Sequence, residues 1–241
     1  NDPINMFRHT KIVVADIAKA QKIPLSNLTV TNINSGIETA SMTAKAFNRL
    51  NPGKIGYVNI SEPDNNTQDY DFQTILNFPE FYYNIEPELI YRYADPTRFF
   101  AGGIDIQLIS EVKFASDIYL STAITYQLIN SFDRLRYFPD SPYLPHVRTD
   151  VVKYLNNRDD LYLNNLQLDK LGKIINGHYF KLSAGMYEMM FGGYGVEYLW
   201  KPFTSNLSVG INLYQVKQRD FEQRLGFSNY EVSTGHTNFI Y

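Results

Sequence analysis

A chain of 241 residues with 44% hydrophobic residues and a formal net charge of −3 holds material for one large domain, or for one domain with a small companion. That charge gives no long-range field to attract nucleic acid, and no basic stripe with interleaved aromatics is present. The absence of Cys excludes a disulfide framework and a thiolate metal site from this stretch.

The aromatic content, 19 Tyr and 16 Phe against one Trp, exceeds the needs of a soluble α/β enzyme and suits surfaces that are apolar at one end and wet at the other. The first residues, Asn1-Asp2-Pro3-Ile4-Asn5-Met6, show no basic region followed by an apolar core, so any secretion signal is expected to have been removed or to lie upstream. No apolar run approaches the roughly 18 to 20 residues of a spanning helix. A membrane crossing would therefore have to be made by strands, since only helices and closed barrels satisfy the backbone in lipid.

In chain order, Ile12, Val13, Ile17 and Ala20 follow helical spacing, Leu28-Thr29-Val30-Thr31 alternates like a strand, and Asn34-Ser35-Gly36 marks a turn. Ala44, Phe47 and Leu50 suit a second helix, so residues 1–50 are read as a small α/β unit. Residues 51–84 are rich in Pro, Asn, Asp and aromatics without sustained periodicity, which predicts a linker with one short strand at residues 56–60.

From about residue 85 the period is two. Ile118, Leu120, Ile124, Tyr126 and Leu128 share one face, while Tyr119, Ser121, Ala123, Thr125 and Gln127 share the other. Ile104, Ile106 and Leu108 oppose Asp105 and Gln107; Phe180, Leu182, Ala184 and Met186 oppose Lys181, Ser183 and Tyr187. Val196, Tyr198 and Trp200 oppose Glu197, and Leu207, Val209, Ile211 and Leu213 oppose Ser208, Asn212 and Tyr214. A soluble sandwich also alternates, but segments of about ten or more residues match tilted membrane strands better than the ~5 to 6 of globular sheets. The fold class expected is mainly β: an antiparallel transmembrane β-barrel over residues 85–241, partial and open, with about seven or eight strands. Residues 131–150, with Pro139, Pro142 and Pro145, form a long loop, 150–157 a short helix or strand, and 161–168 another strand. Phe191-Gly192-Gly193 and residues 201–206 are the short turn candidates.

His9, His146, His178 and His236 are scattered without metal-ligand spacing, and no nucleophile elbow, phosphate loop or dinucleotide fingerprint is present, so no cofactor and no metal are expected. Three clusters stand out. His146, Arg148 and Asp150 alternate along an extended segment, where an Arg and an Asp can hold sugar hydroxyls or simply pin a loop. Gln218, Arg219 and Asp220 follow an alternating strand and suit a salt-bridged strand end. Glu188 and Glu197 flank Gly192-Gly193 on adjacent expected strands, close enough on that reading to act as acid and base or to be balanced by Arg92, Lys181 or Arg148.

Four stretches read together resemble consecutive motifs of the YjbH-like outer-membrane proteins. They are Leu144-Pro-His-Val-Arg-Thr-Asp-Val-Val-Lys-Tyr154, the run from Ser183-Ala-Gly-Met through Glu197-Tyr-Leu-Trp-Lys-Pro202, Val216-Lys-Gln-Arg-Asp-Phe221 and Tyr230-Glu-Val-Ser-Thr-Gly-His236. Asn32-Ile-Asn-Ser-Gly-Ile-Glu38 resembles the small periplasmic region that precedes the family's barrel. The resemblance implies a Gram-negative outer-membrane protein, often a lipoprotein, linked to exopolysaccharide or group 4 capsule production, with no established catalytic residues. Members are longer than 241 residues, so the chain is expected to be a fragment. The partners implied are outer-membrane lipid, polysaccharide and other exopolysaccharide or capsule secretion proteins, with no nucleic acid.

The leading functional expectation is a non-enzymatic barrel that helps secrete, modify or retain polysaccharide, with Asp105, Tyr119, Lys181, Tyr187 and Tyr214 facing the lumen as glycan contacts. Two alternatives stand beside it. One is an enzyme acting on glycan or lipid through Glu188, Glu197 and His146. The other is a soluble glycan-binding sandwich whose apolar faces pack together.

Overall fold

The computed structural model describes residues 29–43, 60–62, 77–95, 98–136, 150–203 and 205–241, together with Phe7, Lys19, Ala20 and Lys22. The two expected N-terminal helices and the strand at residues 56–60 fall almost wholly outside these residues, as do His9, His146 and Arg148.

Strands β1 (Thr29–Asn34) and β2 (Ile37–Thr43) form an antiparallel hairpin around Ser35-Gly36. Gly36 has φ of +75°, and a Cβ there would stand 2.4 Å from the Ser116 hydroxyl oxygen, so the turn and its close approach to the main sheet both require glycine. Ala40, Met42, Ile60 and Phe7 form a small core under this hairpin, and Phe203 packs against it.

The main body is one eight-stranded antiparallel sheet in strict sequence order: β3 (Glu80–Asp95), β4 (Arg98–Ala115), β5 (Ile118–Asn130), β6 (Leu161–Ile175), β7 (His178–Met186), β8 (Phe191–Trp200), β9 (Ser208–Arg219) and β10 (Phe227–Ile240). β3 and β10 are its two edges and do not pair with each other. Strand β3 begins inside the stretch read as linker. Its alternation of Phe81, Tyr83, Ile85, Leu89, Tyr91 and Tyr93 is interrupted by Pro87, which lacks an N–H and is tolerated because β3 is an edge.

The register assigns the two faces. One rung runs across all eight strands through Glu80, Lys113, Tyr119, Asp169, Ser183, Gly195, Tyr214 and Thr234. The neighbouring rung, on the opposite face, reads Phe81, Val112, Leu120, Leu168, Ala184, Tyr194, Gln215 and Ser233. The polar face is concave. Asn164 on β6 donates to Glu88 on β3 at 3.2 Å, and Arg219 on β9 donates to the Leu163 carbonyl on β6 at 2.7 Å. Each pair is three strands apart, about 14 Å in a flat sheet, a gap that side chains standing perpendicular to it do not close.

The strand ends fall into two sets. The hairpin end carries β1 and β2, the tight turns at residues 116–117 and 176–177, and the 201–207 connection. The loop end carries the long β5–β6 connection and the turns at residues 187–190 and 220–226. Within that connection a 3₁₀ turn (Phe132–Arg134) and α1 (Val151–Asn157) fold back on the sheet, burying Phe132, Leu135, Val152 and Leu155 against Ala101, with Ile90 beside them. A seven-residue helix is marginal alone, so this burial, about 1.5 to 3 kcal/mol for each large side chain, is what holds it.

The convex face is bare. Phe81, Ile85, Leu89 and Tyr91 are 65 to 70% exposed, and Ile106, Leu108, Ile124, Leu128, Leu182, Val196 and Leu213 are exposed as well. The sandwich reading required these residues to pack against a second sheet; among the described residues the second sheet is the two-stranded hairpin, whose cleft against the main sheet is lined by concave-face residues. No helix among the described residues is long and apolar enough to cross a membrane.

Candidate functional site: the polar concave face

Polar residues meet on the concave face in three clusters. Near its centre Lys181 Nζ lies 2.6 Å from Glu197 Oε1, which also accepts from the Tyr214 hydroxyl. Lys181 and Glu197 are direct cross-strand partners, so strand pairing itself sets this ion pair. The Tyr187 hydroxyl donates to the Ser183 carbonyl at 3.0 Å, and its ring meets Tyr214 edge-on at 5.5 Å. Gly195 pairs with Tyr214, and a Cβ at Gly195 would stand 2.2 Å from that ring, so the glycine lets the tyrosine lie across the strand toward Glu197.

The second cluster lies toward the loop end. Asp105 is fully buried, 3.1 Å from Arg158 Nη2, and accepts from the Tyr162 hydroxyl at 2.7 Å. Arg158 also donates to Tyr162 and to Gln127, both at 2.8 Å. Beside it Glu88 accepts from Gln107 and Asn164, and Thr125 accepts from the same two side chains.

The third cluster joins two of the sequence motifs. Asp150 accepts from Gln218 Nε2 at 3.1 Å and pairs with Lys153 at 2.8 Å, which sets Asp150 itself against the Gln218-Arg219-Asp220 strand end. Arg219 is fully buried and departs from the expected carboxylate pairing. Its guanidinium donates to the carbonyls of Glu188 (2.6 Å), Leu163 (2.7 Å), Gln223 and Arg224 (both 3.0 Å) and Asn164 (3.4 Å). Asp220 instead accepts from the Arg224 backbone N–H. The Tyr154 hydroxyl donates to the Arg219 carbonyl at 2.6 Å, and burial pushes that phenol up to about 12.

Of the expected lumen residues, Lys181, Tyr187 and Tyr214 come together, and Tyr119 lies on the same face two strands from Ser183. Asp105 shares the face but is sealed beneath Arg158 and Tyr162, out of reach of a ligand. The approach of Glu188 to Glu197 is corrected. Gly192 and Gly193 lie within β8, and the turn is at residues 187–190. Glu188 therefore sits in the turn, while Glu197 is five residues beyond Gly192 along β8, about 16 Å at strand rise. The two carboxylates belong to different regions.

A further set went unread in the sequence. Asn32, Asn34, Ser35 and Thr39 of the hairpin face Glu62, Tyr179, Lys201, Phe203, Ser205 and Asn206 across a cleft of about 440 Å³. A second cleft of about 520 Å³ lies on the other flank of the hairpin tip, against Glu111, Lys113 and Tyr119. Its signal in the sequence was the Asn-rich hairpin itself, but only tertiary placement sets it against β7 and the β8–β9 connection.

No group of three or more His, Cys, Asp and Glu among the described residues has metal-binding geometry. Fold and site together define an open, curled antiparallel sheet with an apolar outer face and a polar, hydrogen-bonded inner face. Residues 7–241 match the YjbH family, described as "Exopolysaccharide biosynthesis protein YbjH", and the chain belongs to that family. It is 32% identical over 161 residues to the uncharacterized lipoprotein YjbH of Escherichia coli strain K12, a match covering 65% of this chain and 23% of that protein. The chain thus spans about a quarter of that relative's length. No solved structure matches it.

Proposed function

We propose that the chain is part of an outer-membrane β-barrel that takes part in the secretion or surface retention of exopolysaccharide, in a non-catalytic role. The observation that carries this reading is the sidedness of the sheet, with ion pairs on the concave face and bare aliphatic and aromatic residues on the convex one. Water disfavours that arrangement over so large a contiguous surface, whereas a bilayer favours it. On β3 the outward aromatics Phe81 and Tyr93 are 12 residues apart, about 30 Å along the membrane normal for a tilted strand, close to the ~25 Å apolar band of such barrels. Phe114, Tyr198, Trp200 and Phe239 lie outward toward the hairpin end, and Tyr91, Phe100, Tyr126 and Tyr194 toward the loop end, as two aromatic girdles would.

The two-residue turns at 116–117 and 176–177 and the N-terminal hairpin share one end, which this reading places in the periplasm, and the long β5–β6 connection emerges outside. The outward edges of β3 and β10 then each take a further strand from the longer protein, since lipid tolerates no open edge. The exopolysaccharide link comes from the family's description, and a Gram-negative envelope fits the lipoprotein relative. The test is made on the full-length protein in its own bacterium. Expected are recovery with outer membranes on a density gradient, a heat-dependent gel shift, and loss of secreted polymer when the gene is deleted. Fractionation with soluble periplasmic proteins would sink the barrel, and unchanged polymer in the deletion strain would sink the polysaccharide role.

A further inference from the structure

The polar groups of the concave face divide by whether the protein already satisfies them. Lys181, Glu197 and Tyr214 bind one another, as do Glu88, Gln107, Thr125 and Asn164, and Asp105, Arg158 and Tyr162. Groups matched in this way hold strands together and offer a ligand few free positions. The cleft beside the N-terminal hairpin is the opposite case. The side chains of Asn32, Lys201 and Asn206 have no hydrogen-bond or ion-pair partner among the described residues, yet they line one concavity of about 440 Å³ beside Glu62 and Tyr179. Asn32 is buried, 7% exposed.

We infer that this cleft, between the β1–β2 hairpin and the β7 and β8–β9 wall, is a binding site for a short uncharged stretch of polysaccharide. Three features select that chemistry. Side-chain amides offer a donor and an acceptor on one planar group, which matches vicinal hydroxyls, and Asn32, Asn34 and Asn206 supply three. Tyr179 and Phe203 add flat apolar surfaces for the C–H faces of a pyranose ring. The lining carries one carboxylate, Glu62, and one ammonium, Lys201, so its fixed charge cancels and favours neither a polyanion nor a polycation. The volume lies within the ~300 to 1,000 Å³ of small-molecule sites. The hairpin tip also separates this cleft from the second one, beside Lys113 and Tyr119, so a chain leaving one cleft over the tip meets the other.

The inference rests on the polysaccharide reading and names where contact is made. It is tested with the full-length protein in detergent, using as probe size-fractionated oligosaccharides from mild acid hydrolysis of the bacterium's own secreted polymer, followed by equilibrium dialysis. Wild type should bind, and Tyr179→Ala and Asn206→Ala should each weaken binding about tenfold. Tyr214→Phe, in the self-satisfied cluster, should leave affinity within about twofold. Asn206 lies in an exposed connection, so its variant stays informative should Tyr179→Ala fail to fold. Absence of wild-type binding, or equal affinity in wild type and Asn206→Ala, overturns the inference. The deletion strain reports separately on the polysaccharide role: lost polymer with unchanged Asn206→Ala binding removes this site and leaves that role standing.

Discussion

Replacing Arg219 by Ala removes a buried cation that ties three separate segments together: β6 through Leu163 and Asn164, the β7–β8 turn through Glu188, and the 220–226 turn through Gln223 and Arg224. Four of its five contacts are 3.0 Å or shorter, and a net ~1.5 to 3 kcal/mol for each charge-assisted bond would give an upper figure of ~12 kcal/mol. Two terms reduce it. The Arg224 carbonyl belongs to an exposed residue that water can reach once the guanidinium is gone, and truncation also relieves the desolvation of a fully buried charge. The expected cost is about 3 to 5 kcal/mol, the range for breaking buried ionic networks. Arg219→Lys should recover less than half, because an ammonium cannot fan out to carbonyls on three segments. Urea unfolding of the full-length protein in detergent, followed by the gel shift, gives the global value, and limited proteolysis at residues 220–226 gives the local one. A loss below about 0.5 kcal/mol, typical of inert surface positions, together with unchanged proteolysis, would refute the clamp.

Tyr154 supplies a pH prediction at the same end. Its phenol is held at about 12 by burial, above the unfolded value of 10.0, so the unfolded chain loses this proton first and stability falls between those two pH values. The loss attributable to this group is about 2 to 3 kcal/mol, and Tyr154→Phe should remove that part of the alkaline decline in unfolding curves; parallel curves for the two proteins would contradict it. A double-mutant cycle with Lys181→Met and Glu197→Gln should give a coupling of about 1 kcal/mol, since both side chains keep a quarter or more of their surface in solvent. A coupling indistinguishable from zero would mean that strand pairing alone positions them. On the convex face, Ile124→Arg should lower the stability of the membrane-inserted protein by about 2 to 4 kcal/mol. An unchanged value there would place that face in water.

Much of the sheet was legible because alternation of period two is a local property. Ile118, Leu120, Ile124 and Leu128 against Tyr119, Ser121, Thr125 and Gln127 needs only a register to become two faces, and the observed pairings supply it. Strand β3 was half missed, because Pro87 and the dense charges and tyrosines around it resemble a linker unless the strand is known to be an edge. Gly192-Gly193 misled in the other direction. The pair lies within β8 because backbone from the neighbouring strand crowds Gly193, where a Cβ would stand 2.1 Å from the Gln215 carbonyl oxygen, whereas the true turn at residues 187–190 contains neither Gly nor Pro. Candidate site residues were harder still. Lys181, Tyr187 and Tyr214 could be grouped by face, but that Asp105 would be sealed by Arg158 depends on a connection that folds back from more than 25 residues away.

The inner face explains how a sheet without a conventional core holds its curl. Within the eight strands the buried apolar side chains are few, Ala101, Tyr162, Met186 and Val216, so hydrophobic burial does not dominate the concave side. What draws distant strands together there is a set of polar contacts spanning two or three strands, Tyr162 to Asp105, Asn164 to Glu88 and Arg219 to Leu163. Such contacts are directional and costly when broken, so they fix one curvature where a greasy interior would allow several. Networks of this kind brace the central face across strands. Groups free to exchange partners with a passing chain then belong at the mouth, where the hairpin leaves Asn32, Lys201 and Asn206 unmatched.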